Sequence, residues 1–384
     1  METQNKKNAY RSGIICLVVI LAIFGGISFK MGISNMLNTI MHTAHDLLLN
    51  TVFFLMGVCV ISGAISKLFV NFGVVDLLER VLRPLMRPLF NLPGVASLGA
   101  VMTFLSDNPV IITLSKDKQF SRYFKKFQYI SLTNFGTAFG MGLIVIFYMM
   151  GQGYLAEPII GLLGAICGCI VSTRLMQRFV LKAYPQYKEE DAAVITEEDI
   201  EKAEQEKRDD KTIFVRALNS MLDGGRMGVD VGLTIIPGVL VISTIVMVLT
   251  FGPNAESGLY TGAAYEGVEL LPALAAQADG FFNLVFGLND PHQLAFPITA
   301  LGAVGAALGL VPNFAAQGWV DGNAIAVFTA IGMCWSGYLS THTAMLDTLG
   351  FRSLTSKAIL AHTIGGICAA LTAHWFYLIY AWIV

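Results

Sequence analysis

A carboxylate is the side chain least expected inside an apolar run. Residues 94–114, GVASLGAVMTFLSDNPVIITL, carry one in their middle. Ser106, Asp107, Asn108 and Pro109 split this run into two arms of about ten residues, each roughly 15 Å long as helix, or half a bilayer. A charged group near the bilayer centre costs at least about 2.5 kcal/mol on insertion scales, so it marks a cavity, an ion path or a proton relay. At the tip of a helical hairpin, Asp107 lies beside the free amides and carbonyls of half-helix ends, where it can hold Na⁺ or take up a proton. A local reading stands beside this one: Asp and Asn are good caps for an arm that begins at Pro109. Asn108 shares both readings.

A second polar group opens the next apolar run. Within SLTNFGT at 131–137, Ser131, Thr133, Asn134 and Thr137 fall within two helical turns beside Gly136 and Gly140. Facing a hairpin tip, such a cluster lines a cavity; otherwise its hydroxyls bond back to the helix and its glycines serve close packing. WSGYLSTHTAMLD at 335–347 offers Ser336, Ser340, Thr341, His342 and Thr343. His342 suits proton shuttling or metal ligation, or is simply solvated near the cytoplasmic surface. In HQLAFPITALGAVGAALGLVP at 292–312, Thr299 is the expected tip residue of a second hairpin, with 302–305 as the alternative.

Metal and enzyme chemistry find less support. His42, His45 and Asp46 share one turn, and Asn289, Asp290, His292 and Gln293 precede the second hairpin; both sets are permissive for zinc-like ions. No metal site is expected from them. The six cysteines sit in apolar runs without zinc-ligand spacing and read as small buried thiols. H-E-x-x-H, G-x-S-x-G and G-x-x-x-x-G-K-[ST] are all absent, so no enzymatic activity and no resident cofactor are expected, only Na⁺ or H⁺ as a coupling ion.

The elements that position these residues follow from composition. Of 384 residues 55% are apolar and 14% charged, and the mean hydropathy is +0.63, which excludes a soluble enzyme, a secreted disulfide scaffold and a nucleic-acid binder. Seven runs have the roughly 17–25 residues needed to cross a bilayer: 12–29, 47–66, 128–150, 158–180, 232–251, 323–341 and 357–383. The first reads as a retained signal anchor, since no A-x-A site follows it. With the N-terminus in the cytoplasm, Lys and Arg concentrate in the inner segments. The outer loop 252–291 holds Glu256, Glu266, Glu269, Asp279 and Asp290 and neither basic residue. The C-terminus then lies outside. The expected location is the bacterial cytoplasmic membrane.

Residues 67–90 place Asp76, Glu79, Arg80, Arg83 and Arg87 at three- and four-residue steps, as in a helix lying in the membrane plane, with Pro84 and Pro88 kinking or ending it. A weaker amphipathic stretch spans 266–288. Both halves thus read span, interfacial helix, hairpin, span, span, in opposite orientation. The expected fold is all-α and integral to the membrane: an inverted-topology repeat with two interfacial helices, two re-entrant hairpins and about seven transmembrane helices. Its parts are an N-terminal helix and outer loop (1–46), repeat 1 (47–182), an acidic, solvated cytoplasmic linker (183–213) and repeat 2 (214–384).

This order resembles the Gate-domain, or nucleoside-recognition, family, which includes concentrative nucleoside transporters, the membrane part of the ferrous iron transporter and the spore-maturation membrane proteins. The resemblance rests on LPGVASLGAVMTFLSDNPVIITLSKD at 92–117, YISLTNFGTAFGMG at 129–142 and LDGGRMGVDVGLTIIPGVLVI at 222–242. It is nearest the spore-maturation type. The resemblance implies a central polar cavity between two hairpins, and a homo-oligomer. The acidic and asparagine motifs that hold ribose and base in nucleoside transporters are not found.

The expected function is secondary transport of a small polar or anionic solute, nucleoside-like or an organic anion, by alternating access with Na⁺ or H⁺ coupling. Asp107 would couple the ion; Asn108, Ser131, Thr133, Asn134 and Thr137 would hold the solute from one repeat, and Thr299, Ser336, Ser340, His342 and Thr343 from the other. The bilayer and a small-molecule solute are the expected partners. The alternative function is a membrane scaffold or accessory subunit with the same fold.

Overall fold

The computed structural model describes residues 2–116, 118–193, 212–254 and 257–384. Glu256 and most of the acidic linker, at 194–211, lie outside the described residues. Among the described residues all regular structure is helical; one isolated bridge, Lys125 with Asp191, is the sole extended pairing.

The chain begins with α1 (Glu2–Met31) and α2 (Ile33–Asn71). Next come α3 (Val74–Leu85) and a short hairpin, α4 (Ala96–Leu105) with α5 (Pro109–Lys116). The first repeat closes with α6 (Lys126–Thr137), α7 (Gly142–Gly151) and α8 (Glu157–Ala183). The second repeat runs through α9 (Ile213–Thr250), α10 (Leu270–Phe286), α11 (Pro291–Gly302) and α12 (Val304–Ala316). It ends with α13 (Gly322–Cys334), α14 (Tyr338–Thr348) and α15 (Thr355–Ile383). By length and composition seven helical segments suffice to cross a membrane, with α6–α7 and α13–α14 each forming one of them.

The repeat is visible in the numbering. Val74 and Leu270, Lys126 and Gly322, and Gly142 and Tyr338 each open equivalent helices 196 residues apart. The hairpin breaks at Asp107 and Ala303 keep the same offset of 196. So do Met141 and Gly337, the residues of positive φ that begin the second halves of the broken spans.

Several boundaries depart from the sequence reading. Helices α2 and α9 are 39 and 38 residues long, about twice the span expected, because their polar ends continue the helix past the apolar window. Each includes a wide, π-type turn, at Leu47–Val52 and Gly238–Ser243, and the two turns touch. The spans expected at 128–150 and 323–341 are both interrupted. The first interruption centres on Met141, which adopts φ 54° with its neighbours Gly140 and Gly142 pressed against Asn108 and Phe104 of the hairpin. The second centres on Gly337, at φ 62°, where a glycine takes the left-handed conformation without strain. Helix α3 ends one residue after Pro84, and α10 bends 79° into α11. The second hairpin breaks at Ala303, within 302–305, and Thr299 sits a turn before the tip. Of the cysteines Cys16 is exposed, while Cys59, Cys169 and Cys334 are buried.

Equivalent helices of the two repeats pack on each other through small residues. A Cβ at Gly228 of α9 would lie 2.2 Å from the Cys59 carbonyl oxygen of α2, and one at Gly63 would lie 2.4 Å from that of Gly224. In the α8–α15 pair a Cβ at Gly168 would lie 2.4 Å from the Gly365 carbonyl oxygen. Such backbone contact is how membrane helices gain packing energy when lipid is as apolar as their side chains. Between the two pairs sit the hairpins and broken spans, with Phe296 and Phe328 stacked 4.2 Å apart in the core.

Candidate functional site

The breaks converge on one cavity of about 510 Å³. Ser106, Asp107, Asn108 and Val110 come from the first hairpin, Gly302, Ala303, Val304 and Gly305 from the second. Met141, Ser336, Gly337, Ser340 and Thr341 come from the two broken spans, and α9 closes the wall with Asp230, Val231, Thr234, Ile235 and Gly238. Each break turns one half-helix C-terminus and one N-terminus toward this space, bringing both carbonyl and amide ends to it.

Asn108 ties the breaks together. It is 3% exposed, and its Nδ2 donates to the Ser336 carbonyl oxygen at 2.8 Å. Its Oδ1 has no donor and sits so close to Gly140 that a Cβ there would approach it to 2.1 Å. Gly140 and Ser336 are repeat equivalents, so one amide spans both broken helices. Ala300 of the second hairpin likewise accepts from the Gly337 amide, at 3.4 Å. Asp107 accepts from the adjacent Asn108 amide at 2.7 Å.

Of the residues singled out in sequence, the cavity unites Ser106, Asp107, Asn108, Ser336, Ser340 and Thr341. The 131–137 group lies elsewhere. Asn134 gives both its amide protons to protein, to Ser172 Oγ at 3.0 Å and to the Ala358 carbonyl at 2.9 Å. Thr133 donates to the Ile130 carbonyl, and Thr137 to the Thr133 carbonyl. Ser131 accepts from Gln177 at 3.2 Å. These four fill the seam between α6, α8 and α15, because a buried amide or hydroxyl must find partners wherever helices meet. Thr299 bonds back to the Ala295 carbonyl and does not line the cavity. Thr343 is exposed and bonds to the Leu339 carbonyl.

His342, read as a surface or shuttle histidine, is fully buried. Its Nδ1 lies 3.0 Å from the Tyr338 carbonyl, and its ring lies 4.6 Å from that of His362. His362 in turn meets Ser172 Oγ at 2.9 Å and the Cys334 carbonyl at 2.5 Å. The resulting network of Asn134, Ser172 and His362 is a packed polar seam outside the cavity lining.

Asp230 was not recognised in the sequence. It lies mid-helix in α9, inside GVDVGL, and lines both the central cavity and an adjoining one of about 330 Å³ that also holds Lys67, Ser66 and Ser106. Its signal was a lone acid in a continuous helix. Starting the span at 232 left it two residues outside.

The two histidine clusters sit in different settings. His42, His45 and Asp46 border an open pocket of about 450 Å³ with residues 261–264. His42 Nδ1 meets the Gly262 carbonyl at 2.9 Å, and Asp46 accepts from Asn50 and from the Tyr265 hydroxyl. Burial, and then that bond to Asp46, push the Tyr265 phenol above its usual range. Buried Glu266 accepts from Thr261 and Gly262 and closes the loop beside it. His292 stacks on Trp319 at 3.8 Å and bonds Asp290 at 2.6 Å. Among the described residues no three His, Cys, Asp or Glu side chains are arranged to hold a metal.

A multi-pass helical membrane protein with two inverted repeats, paired half-length hairpins and a cavity at their tips has the architecture of a membrane transporter. Residues 52–153, within the first repeat, match the Gate family model, described as nucleoside recognition. An uncharacterized protein of Alkalihalophilus pseudofirmus is 33% identical over 112 residues, 27% of this chain, and the match spans only 24% of that relative's length. Among solved structures, an outward-facing variant of the concentrative nucleoside transporter CNTnw aligns with a TM-score of 0.51 at 11% identity, covering 96% of this chain and 86% of that one. Two intermediate states of the same transporter align at 0.52, with 14% and 12% identity, covering 96% and 98% of this chain and 86% and 88% of theirs. At such identity the likeness is one of fold.

Proposed function

We propose that the protein is a secondary transporter that carries a small polar solute, of about nucleoside size, through the cavity at the hairpin tips by alternating access. One observation carries this reading. Four helix breaks, equivalent in pairs across the repeat, meet at one cavity large enough for an organic solute, and repeat interfaces with broken helices are where transporters hold their cargo. The Gate match and the shared fold of CNTnw support it. Asp107, which lines the cavity, would couple Na⁺ or a proton. Ser336, Ser340 and Thr341 offer hydroxyls to the solute, and Asn108 holds the tip in register. The charge asymmetry of the loops supports a cytoplasmic N-terminus and an external C-terminus in a bacterial cytoplasmic membrane.

The test is thermal unfolding of the detergent-purified protein against nucleosides, bases, organic anions, organic cations, phosphate and divalent metals, with and without Na⁺ and at two pH values. A ligand at 100 times its Kd adds about 2.7 kcal/mol to stability. We expect at least one stabilising solute whose effect depends on Na⁺ or pH and is lost in Asp107→Asn. A flat panel, indifferent to ion, pH and that substitution, would replace transport with a scaffold role.

A further inference from the structure

We infer that the solute held in the central cavity is a small organic molecule bearing a positive charge. The inference rests on the transport reading above and narrows its cargo. Asp107 and Asp230 line the same cavity, one on a hairpin tip and one on α9, and among the described residues no Lys, Arg or His lines it. Half-helix ends cannot offset this charge, since four N-termini and four C-termini contribute opposed partial charges. Within a membrane, carboxylates without a fixed basic partner require a cation or a proton.

A second feature points to a ligand rather than to a bare acidic pair. Ser340 and Thr341 line the same cavity and give their hydroxyl protons to the Gly337 carbonyl, which leaves their oxygens as acceptors for a polar cation such as an ammonium or a protonated base. Cavity size and the absence of a three-ligand metal group among the described residues favour an organic cation over a bare metal ion. Lys67 lines the adjoining cavity and not the central one, and forms no ion pair among the described residues. The organic anion expected from sequence would instead meet two like charges.

The charge of the cavity can be read with reagents whose own charge is fixed. Ser340 lines the cavity and is exposed there, so Ser340→Cys, with the six native cysteines replaced, is treated with the trimethylammonium-ethyl and the sulfonato-ethyl methanethiosulfonates. Relative to a free thiol, the cationic reagent should be favoured at least about tenfold, as expected for two carboxylates lining the same cavity at moderate effective dielectric. The preference should fall severalfold in Asp230→Asn, a position open to the cavity, and further with Asp107→Asn. Equal rates, an anionic preference, no reaction with either reagent, or a preference that survives both substitutions would overturn the inference. In parallel, choline and putrescine should stabilise the intact protein where citrate does not; stabilisation by citrate alone would also overturn it. A cationic preference with no stabilising ligand of any kind would count against transport and leave the charge selectivity standing.

Discussion

At the hairpin tip two adjacent residues divide one motif between them. Asn108 is turned inward to the breaks at Gly140 and Ser336, while Asp107 lines the cavity, so one residue of the motif ties the breaks together and the other is left to the cavity. Sequence made the pair conspicuous because a polar tetrapeptide interrupts an apolar run. Asn134 was equally conspicuous and plays another part. Both its protons are committed to Ser172 and Ala358, which no periodicity reveals, since those partners lie 38 and 224 residues away. Asn134→Ala removes both bonds from a buried seam and is expected to lower stability by about 1–3 kcal/mol, with unchanged affinity for any ligand found in the panel. Thermal unfolding with and without that ligand checks this; lost ligand stabilisation at an unchanged Tm would place Asn134 at the site instead. Asp230 escaped notice for the opposite reason: a single acid near a span boundary looks like an ordinary helix end until the helix is seen to run from Ile213 to Thr250.

Among the elements, the hairpins and interfacial helices were legible because half-length arms and a charged stripe are properties of local sequence. The interruptions of α6–α7 and α13–α14 were not. Met141 is no helix breaker; its left-handed backbone exists because the hairpin presses on both flanking glycines, a tertiary cause. The break at Ala303 hid among glycines any of which could have served. The α2–α9 pair shows the same dependence on close approach. Gly228→Val would drive a side chain into the Cys59 carbonyl, and overpacking of this kind costs about 1–3 kcal/mol or more. We expect a large fall in Tm or loss of monodisperse protein. Gly225→Ala is the control: its Cβ would meet Val60 Cγ1 at an ordinary 3.5 Å, so Tm should hold or rise slightly. Equal behaviour of the two variants in thermal unfolding would show that this seam is looser than described.

For the whole molecule, alternating access requires that one body stay fixed while another moves. The glycine-lined α2–α9 pair supplies one wall of the cavity through Asp230, Val231 and Thr234, and the hairpins and broken spans supply the rest. The cavity therefore lies on a boundary between packed units, where relative motion changes its exposure most. The same pairing has a consequence for assembly. Each strongly packed seam joins a helix of one repeat to its equivalent in the other, so neither half can satisfy its own glycine faces. Such a seam is self-complementary, as between the subunits of a two-fold dimer. The chain is in effect two protomers fused in tandem, with residues 194–211 joining the halves in sequence. Cut there and co-expressed, the halves should reassociate and co-purify as a one-to-one complex with the ligand response of the intact chain, whereas either half alone should aggregate.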